Sequence, residues 1–121
     1  IKGAEVIVLG LTFKENCPDI RNSKVIDLIR ELQDHGTTVV VADPHADPAE
    51  VQHEYGLSLG QITPDEPVDA LVVAVSHREY RGMGVADLRA LVRGERPVVA
   101  DVKSIFAKAE LEAAGFNVFR L

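Results

Sequence analysis

Val6-Ile7-Val8-Leu9 is apolar at every position, and so are Val39-Val40-Val41-Ala42 and Ala70-Leu71-Val72-Val73-Ala74-Val75. A strand with one face in water alternates apolar and polar residues; a strand with no polar position has neither face in water. These runs therefore require a sheet covered on both sides. The segments between them supply the cover. Ser23 to His35 carries Val25, Ile29 and Leu32 on one stripe, with Ile26 and Leu28 beside it, and stops at Gly36. Asp47-Pro48-Ala49-Glu50 has the form of a helix start, and that helix ends by Gly56. Val85 to Arg93 and Ala107 to Ala114 read as two more helices, stopped by Gly94 and Gly115.

Leu57-Ser58-Leu59 reads as a brief edge strand, Val98-Val99-Ala100 as another strand, and Asn117 to Arg120 as the last; Thr63 to Asp69 is a polar connection. The order β-α-β-α-β-β-α-β-α-β requires right-handed crossovers and a mostly parallel sheet. The fold class is thus α/β: a three-layer α/β/α sandwich with a Rossmann-like sheet, strand order 3-2-1-4-5-6. The direction of winding then reverses between strands 1 and 4, and ligands of such sheets bind at that point, beyond the carboxyl ends of the strands.

The loop at that point is Gly10-Leu11-Thr12-Phe13-Lys14-Glu15-Asn16-Cys17-Pro18-Asp19-Ile20-Arg21-Asn22-Ser23, with a helix capped by Asn22 or Ser23 behind it. The chain has a net charge of −6, which argues against a nucleic-acid or anionic-membrane surface. Residues 10 to 24 run against that sign, with Lys14, Arg21 and Lys24 against Glu15 and Asp19. A lysine beside a helix N-terminus at one sheet edge suits a phosphate-bearing ligand. At 121 residues the chain makes one domain, residues 1–121. No apolar run reaches membrane-spanning length. The single cysteine, Cys17, excludes an internal disulfide and suits a cytoplasmic location. The chain opens Ile1-Lys2-Gly3 directly before a strand, which reads as an excised domain.

Gly10, Phe13-Lys14, Asn16-Cys17-Pro18 and Asp19-x-Arg21-x-Ser23, with Asp101-Val102-Lys103-Ser104 far downstream, resemble the signature of a known family. The chain resembles the C-terminal, UDP-binding domain of the UDP-glucose/GDP-mannose dehydrogenases, in particular the branch that oxidises UDP-N-acetyl-hexosamines to uronic acids for surface polysaccharides. The resemblance implies an NAD-dependent 6-dehydrogenase of which this chain is the C-terminal part. NAD would be bound by the N-terminal domain, with no cofactor on this segment, and the full enzyme would be a homodimer in the cytoplasm. The partners it implies are a UDP-sugar and the enzyme's other domains, with no nucleic acid and no membrane.

Carried over residue by residue, the resemblance makes Lys14 a contact to the UDP diphosphate. Lys103 stands where the family often has arginine, so a point-charge contact replaces a bidentate one. The ends of strands 1 and 5 lie roughly 10 Å apart across one intervening strand, within reach of two long side chains. Phe13 packs on the uracil or ribose, or else in the core. Asp19 and Arg21 form an ion pair that shapes the loop, and Ser23 caps the helix. The family's cysteine nucleophile belongs to the N-terminal part, so that role does not pass to Cys17.

Other polar residues stay open. Asp43 ends the second strand, where an acid binds a ribose hydroxyl in dinucleotide folds, or else makes a strand-end turn. After Gly10 the loop lacks the second and third glycines of G-x-G-x-x-G, against a self-contained NAD-binding domain. A receiver-like signalling module would share the sheet and Lys103, but the acidic sites after strands 1 and 4 are missing. His77 is either a contact to the ligand or a neighbouring domain, or a loop histidine without a role. His45, Asp47, Glu50 and His53 have no metal-ligand spacing.

Overall fold

The computed structural model describes residues 3–12, 16, 19–21, 23–60, 65, 67–95 and 97–120. Strands β1 (Glu5–Leu9), β2 (Thr38–Ala42), β3 (Ala70–Val73), β4 (Val98–Asp101) and β5 (Asn117–Arg120) form one sheet in the order β2-β1-β3-β4-β5. Each neighbouring pair is parallel. The helices are α1 (Val25–Asp34), α2 (Pro48–Tyr55), α3 (Arg78–Arg81), α4 (Val85–Ala90) and α5 (Lys108–Ala113).

Side chains on a strand point alternately to its two faces. On β1 this sends Ile7 and Leu9 to one face, where they join Leu71, Val73 and Val99 under Tyr80, Leu88 and Leu111 of α3, α4 and α5. Val6 and Val8 go to the other, where they meet Ile26 and Ile29 of α1 and Val51 of α2. The continuous apolar runs of β1, β2 and β3 are thus explained, because each of these strands feeds two cores. β1 lies between β2 and β3, so the chain winds outward through β2, then returns across β1 to build the rest of the sheet. The reversal falls between β1 and β3, where the sequence places it.

The expected third strand is reduced to one bridge. Leu59 pairs with Val41 alone, and the Gly60 N–H donates to the Val41 carbonyl at 2.7 Å. The sheet therefore has five strands. Gly60 lies so close that a Cβ there would stand 2.6 Å from Val40 Cγ1, so this crossing is a tight contact at one point. Helix α4 also stops earlier than its apolar pattern suggests, because Val92 bridges to Val68 and the Arg93 N–H bonds the Val68 carbonyl. Helix α3 was not expected; its single turn is anchored by Tyr80, whose hydroxyl donates to the Ala42 carbonyl at 3.0 Å.

Candidate functional site at the carboxyl edge

Gly10 opens the site. Its φ of +102° lies in the region that side chains avoid, and a Cβ there would stand 2.6 Å from the Val75 Cβ. The glycine lets the chain leaving β1 pass against the chain leaving β3. Beyond it, the Leu11 and Thr12 N–H groups both donate to Asp43 Oδ2, at 2.7 and 3.0 Å. The His45 N–H donates to Asp43 Oδ1 at 2.8 Å, and His77 Nε2 meets Oδ2 at 2.9 Å. Both the Asp43 and His77 side chains are wholly buried. Burial alone would push the Asp43 carboxyl up; the hydrogen bonds from Leu11, His77, Thr12 and His45 outweigh it and hold the group below the ordinary carboxylate range.

The partners of His77 also assign its tautomer. The Asn16 N–H donates to Nδ1 at 2.8 Å, so Nδ1 is an acceptor and Nε2 carries the proton that Asp43 receives. Thr12 Oγ1 lies 3.1 Å from the same Nε2. Asn16 sits at φ +55°, a left-handed conformation that asparagine tolerates better than most residues, and its side-chain oxygen accepts the Arg78 N–H at 2.8 Å.

Asp19 and Arg21 pair at 3.0 Å, with a second side-chain bond at 3.2 Å and the Arg21 N–H donating to Asp19 Oδ1 at 2.9 Å. The Arg21 guanidinium lowers the Asp19 carboxyl below its usual range. Ser23 is not the residue flanking α1, a position held by Lys24 without a side-chain cap. The Ser23 hydroxyl instead donates to the Leu11 carbonyl at 2.6 Å and accepts the Val25 N–H at 3.3 Å, tying the first turn of α1 to the loop after β1. Phe13, Lys14, Cys17 and Asn22 lie outside the described residues.

Lys103 is exposed on the turn after β4, and among the described residues it has no ion-pair partner. The turn is held by buried Asp101, whose carboxylate accepts the Ile105 and Phe106 N–H groups at 3.1 and 2.9 Å, while Ser104 takes a φ of +55°. In the Asp101-Val102-Lys103-Ser104 motif the acid thus builds the turn that carries the lysine. Because β1, β3 and β4 are parallel neighbours, that turn and the loop after β1 share one edge.

Asp43, His77, Asn16 and Asp101 organise this edge; of these roles sequence reasoning offered only the strand-end turn at Asp43, which the bond from the His45 N–H bears out. One signal was there: Asp43 directly follows an apolar run, and His77 stands one residue beyond the longest of them. His77 is not an idle loop histidine. Asp43 is no ribose ligand, since its carboxylate is buried and already bonded to four groups of this chain. A cleft of about 540 Å³ opens beyond β2, between the loop after that strand and α3, lined among others by Pro44, Pro48, Leu59 and Met83. Its apolar walls suit an anion less well than the edge bearing Lys103.

The description "UDP-glucose/GDP-mannose dehydrogenase family, UDP binding domain" belongs to the family model that matches residues 7–108. A UDP-N-acetyl-D-glucosamine 6-dehydrogenase of Pseudomonas aeruginosa is 41% identical over 85% of this chain, covering 24% of its own length. Protein CapL of Staphylococcus aureus is 42% identical over 94% of the chain and 26% of its own length. The chain thus spans about a quarter of these curated relatives. The crystal structure of an NDP-N-acetyl-D-galactosaminuronic acid dehydrogenase from Methanosarcina mazei Go1 superposes with a TM-score of 0.87 at 21% identity, over 98% of this chain and 24% of that one, a likeness of fold.

Proposed function

We propose, from the premise that this chain belongs to the UDP-glucose/GDP-mannose dehydrogenase family and carries its UDP binding domain over residues 7–108, that it holds the nucleotide end of a UDP-sugar for an NAD-dependent 6-dehydrogenase. The substrate class is a UDP-N-acetyl-hexosamine, taken to the uronic acid for surface polysaccharides. NAD would accept hydride from the sugar's C6 on another domain of the enzyme, a cytoplasmic homodimer in which residues 1–121 are the C-terminal UDP-sugar-binding domain.

The supporting observation is the shared edge. The loop after β1 and the Lys103 turn after β4 flank the end of β3, where the winding reverses. There Lys14 and Lys103 neutralise the diphosphate oxygens, and Phe13 contacts the uracil or ribose. Asp19 stays off the phosphates, because its charge is engaged by Arg21. The paired Asp19 and Arg21, with Ser23 bridging to Leu11, shape the loop rather than touch the ligand. Titration calorimetry of this chain with UDP and with NAD tests the reading. UDP should bind and NAD should not; tighter NAD binding overturns it.

A further inference from the structure

We propose that His77 is a positioning residue for the diphosphate loop, acting through the hydrogen bond its Nδ1 accepts from the Asn16 N–H. The inference rests on the nucleotide-binding reading above. Phe13, Lys14 and Glu15 occupy the chain between Thr12 and Asn16, and both flanking residues meet the same imidazole. Thr12 Oγ1 lies 3.1 Å from Nε2, and the Asn16 N–H donates to Nδ1 at 2.8 Å. The ring itself is immobilised. It is wholly buried, donates to Asp43 at 2.9 Å, and packs at a tilt against the His45 ring, 4.4 Å between centroids, and the Tyr80 ring, 5.7 Å away.

A buried ring nitrogen needs a partner. Here each partner is a group that fixes the loop after β1: Asp43 holds the Leu11 and Thr12 N–H groups on one side of the ring, and Asn16 lies on the other. An apolar residue of similar volume would fill the core but carry neither contact. The imidazole therefore sets the separation and direction of the two ends of the lysine-bearing span. Asn16 reinforces the fixture by accepting the Arg78 N–H.

Two substitutions separate the two ring nitrogens. The side-chain oxygen of His77→Asn falls near Nδ1 and retains an acceptor for Asn16. The amide of His77→Gln reaches the Nε2 position, retains a donor for Asp43 and leaves Asn16 unmet. The readouts are hydrogen-exchange protection of the Asn16 amide by NMR, and UDP affinity by calorimetry. In H77Q the amide should lose protection, with affinity down about tenfold, the order expected for one buried hydrogen bond. In H77N both should stay within about threefold of the starting protein, a rescue that a purely packing role would not produce. Wild-type protection and affinity in H77Q, or an equal loss in both variants, overturns the proposal.

If the unsubstituted chain takes up no UDP, the nucleotide reading fails. The Asn16 protection pattern then still decides whether His77 fixes the loop. If neither variant folds, the 15N spectrum of the unsubstituted chain decides: a pyridine-type Nδ1 and a pyrrole-type Nε2 on His77 support the proposal, and the reverse overturns it.

Discussion

At the scale of single residues, the site depends on positions with little tolerance. Gly10→Ala meets both a disfavoured backbone and a Val75 Cβ at 2.6 Å. It should cost about 3 kcal/mol, read by urea unfolding. Thr37 is the opposite case. Its hydroxyl is buried and, among the described residues, has no hydrogen-bond partner. Thr37→Val keeps the shape and removes an unmet polar group, so it should raise stability by about 1 kcal/mol in the same assay. Lys14→Ala should weaken UDP binding by about 1.5–3 kcal/mol in calorimetry, the range for a hydrogen bond to a charged group. The family motif makes Lys14 conspicuous in the sequence. His77 and Asp43 are legible only as polar residues after apolar strands, because apart from the His45 N–H on Asp43 their partners lie 31 to 65 residues away.

At the scale of elements, local signals carry most of the information. Gly36 at φ +81° ends α1 as expected, with its N–H on the Gln33 carbonyl and the Thr37 N–H on the Leu32 carbonyl. Asp47 accepts the Ala49 N–H and Pro48 opens α2, while Gly56 closes it in a left-handed conformation. Asp47→Ala should therefore cost about 1 kcal/mol in thermal or urea unfolding. The elements that differ from the sequence reading are those decided by tertiary contact. Leu57-Ser58-Leu59 has strand-like residues but meets β2 at one bridge. Val92 continues the helical stripe of α4, yet its backbone is drawn to Val68. Four residues of α3 are too few to show a period; Tyr80 on Ala42 explains them only once the fold is known.

At the scale of the whole molecule, the sheet order was legible because the apolar runs and the connection rules leave few alternatives. The wiring of the carboxyl edge was not, because it is made of side chains from separate loops. That wiring also sets the acid response. Asp43 is held below the ordinary carboxylate range by its hydrogen bonds despite burial, and Asp69 is lowered by the Arg93 guanidinium and then by the Glu5 N–H. A carboxylate with a depressed folded pKa contributes stability that is complete above its unfolded value, about 3.9, and is lost as the pH falls through the folded value. The unfolding free energy should thus decline below about pH 4 on account of these groups, and Asp43→Asn should flatten that decline in unfolding curves taken across the acid range.

The bond from Asn16 to His77 spans 61 residues, and the one from His77 to Asp43 spans 34. During synthesis, then, Asp43, Ser23 and the Asp19–Arg21 pair are available early to shape the turn between the first strand and its helix, but its Asn16 end has no imidazole to meet until the ribosome has passed the middle of the domain. Nucleotide capture by a growing polypeptide would report that the second half has arrived.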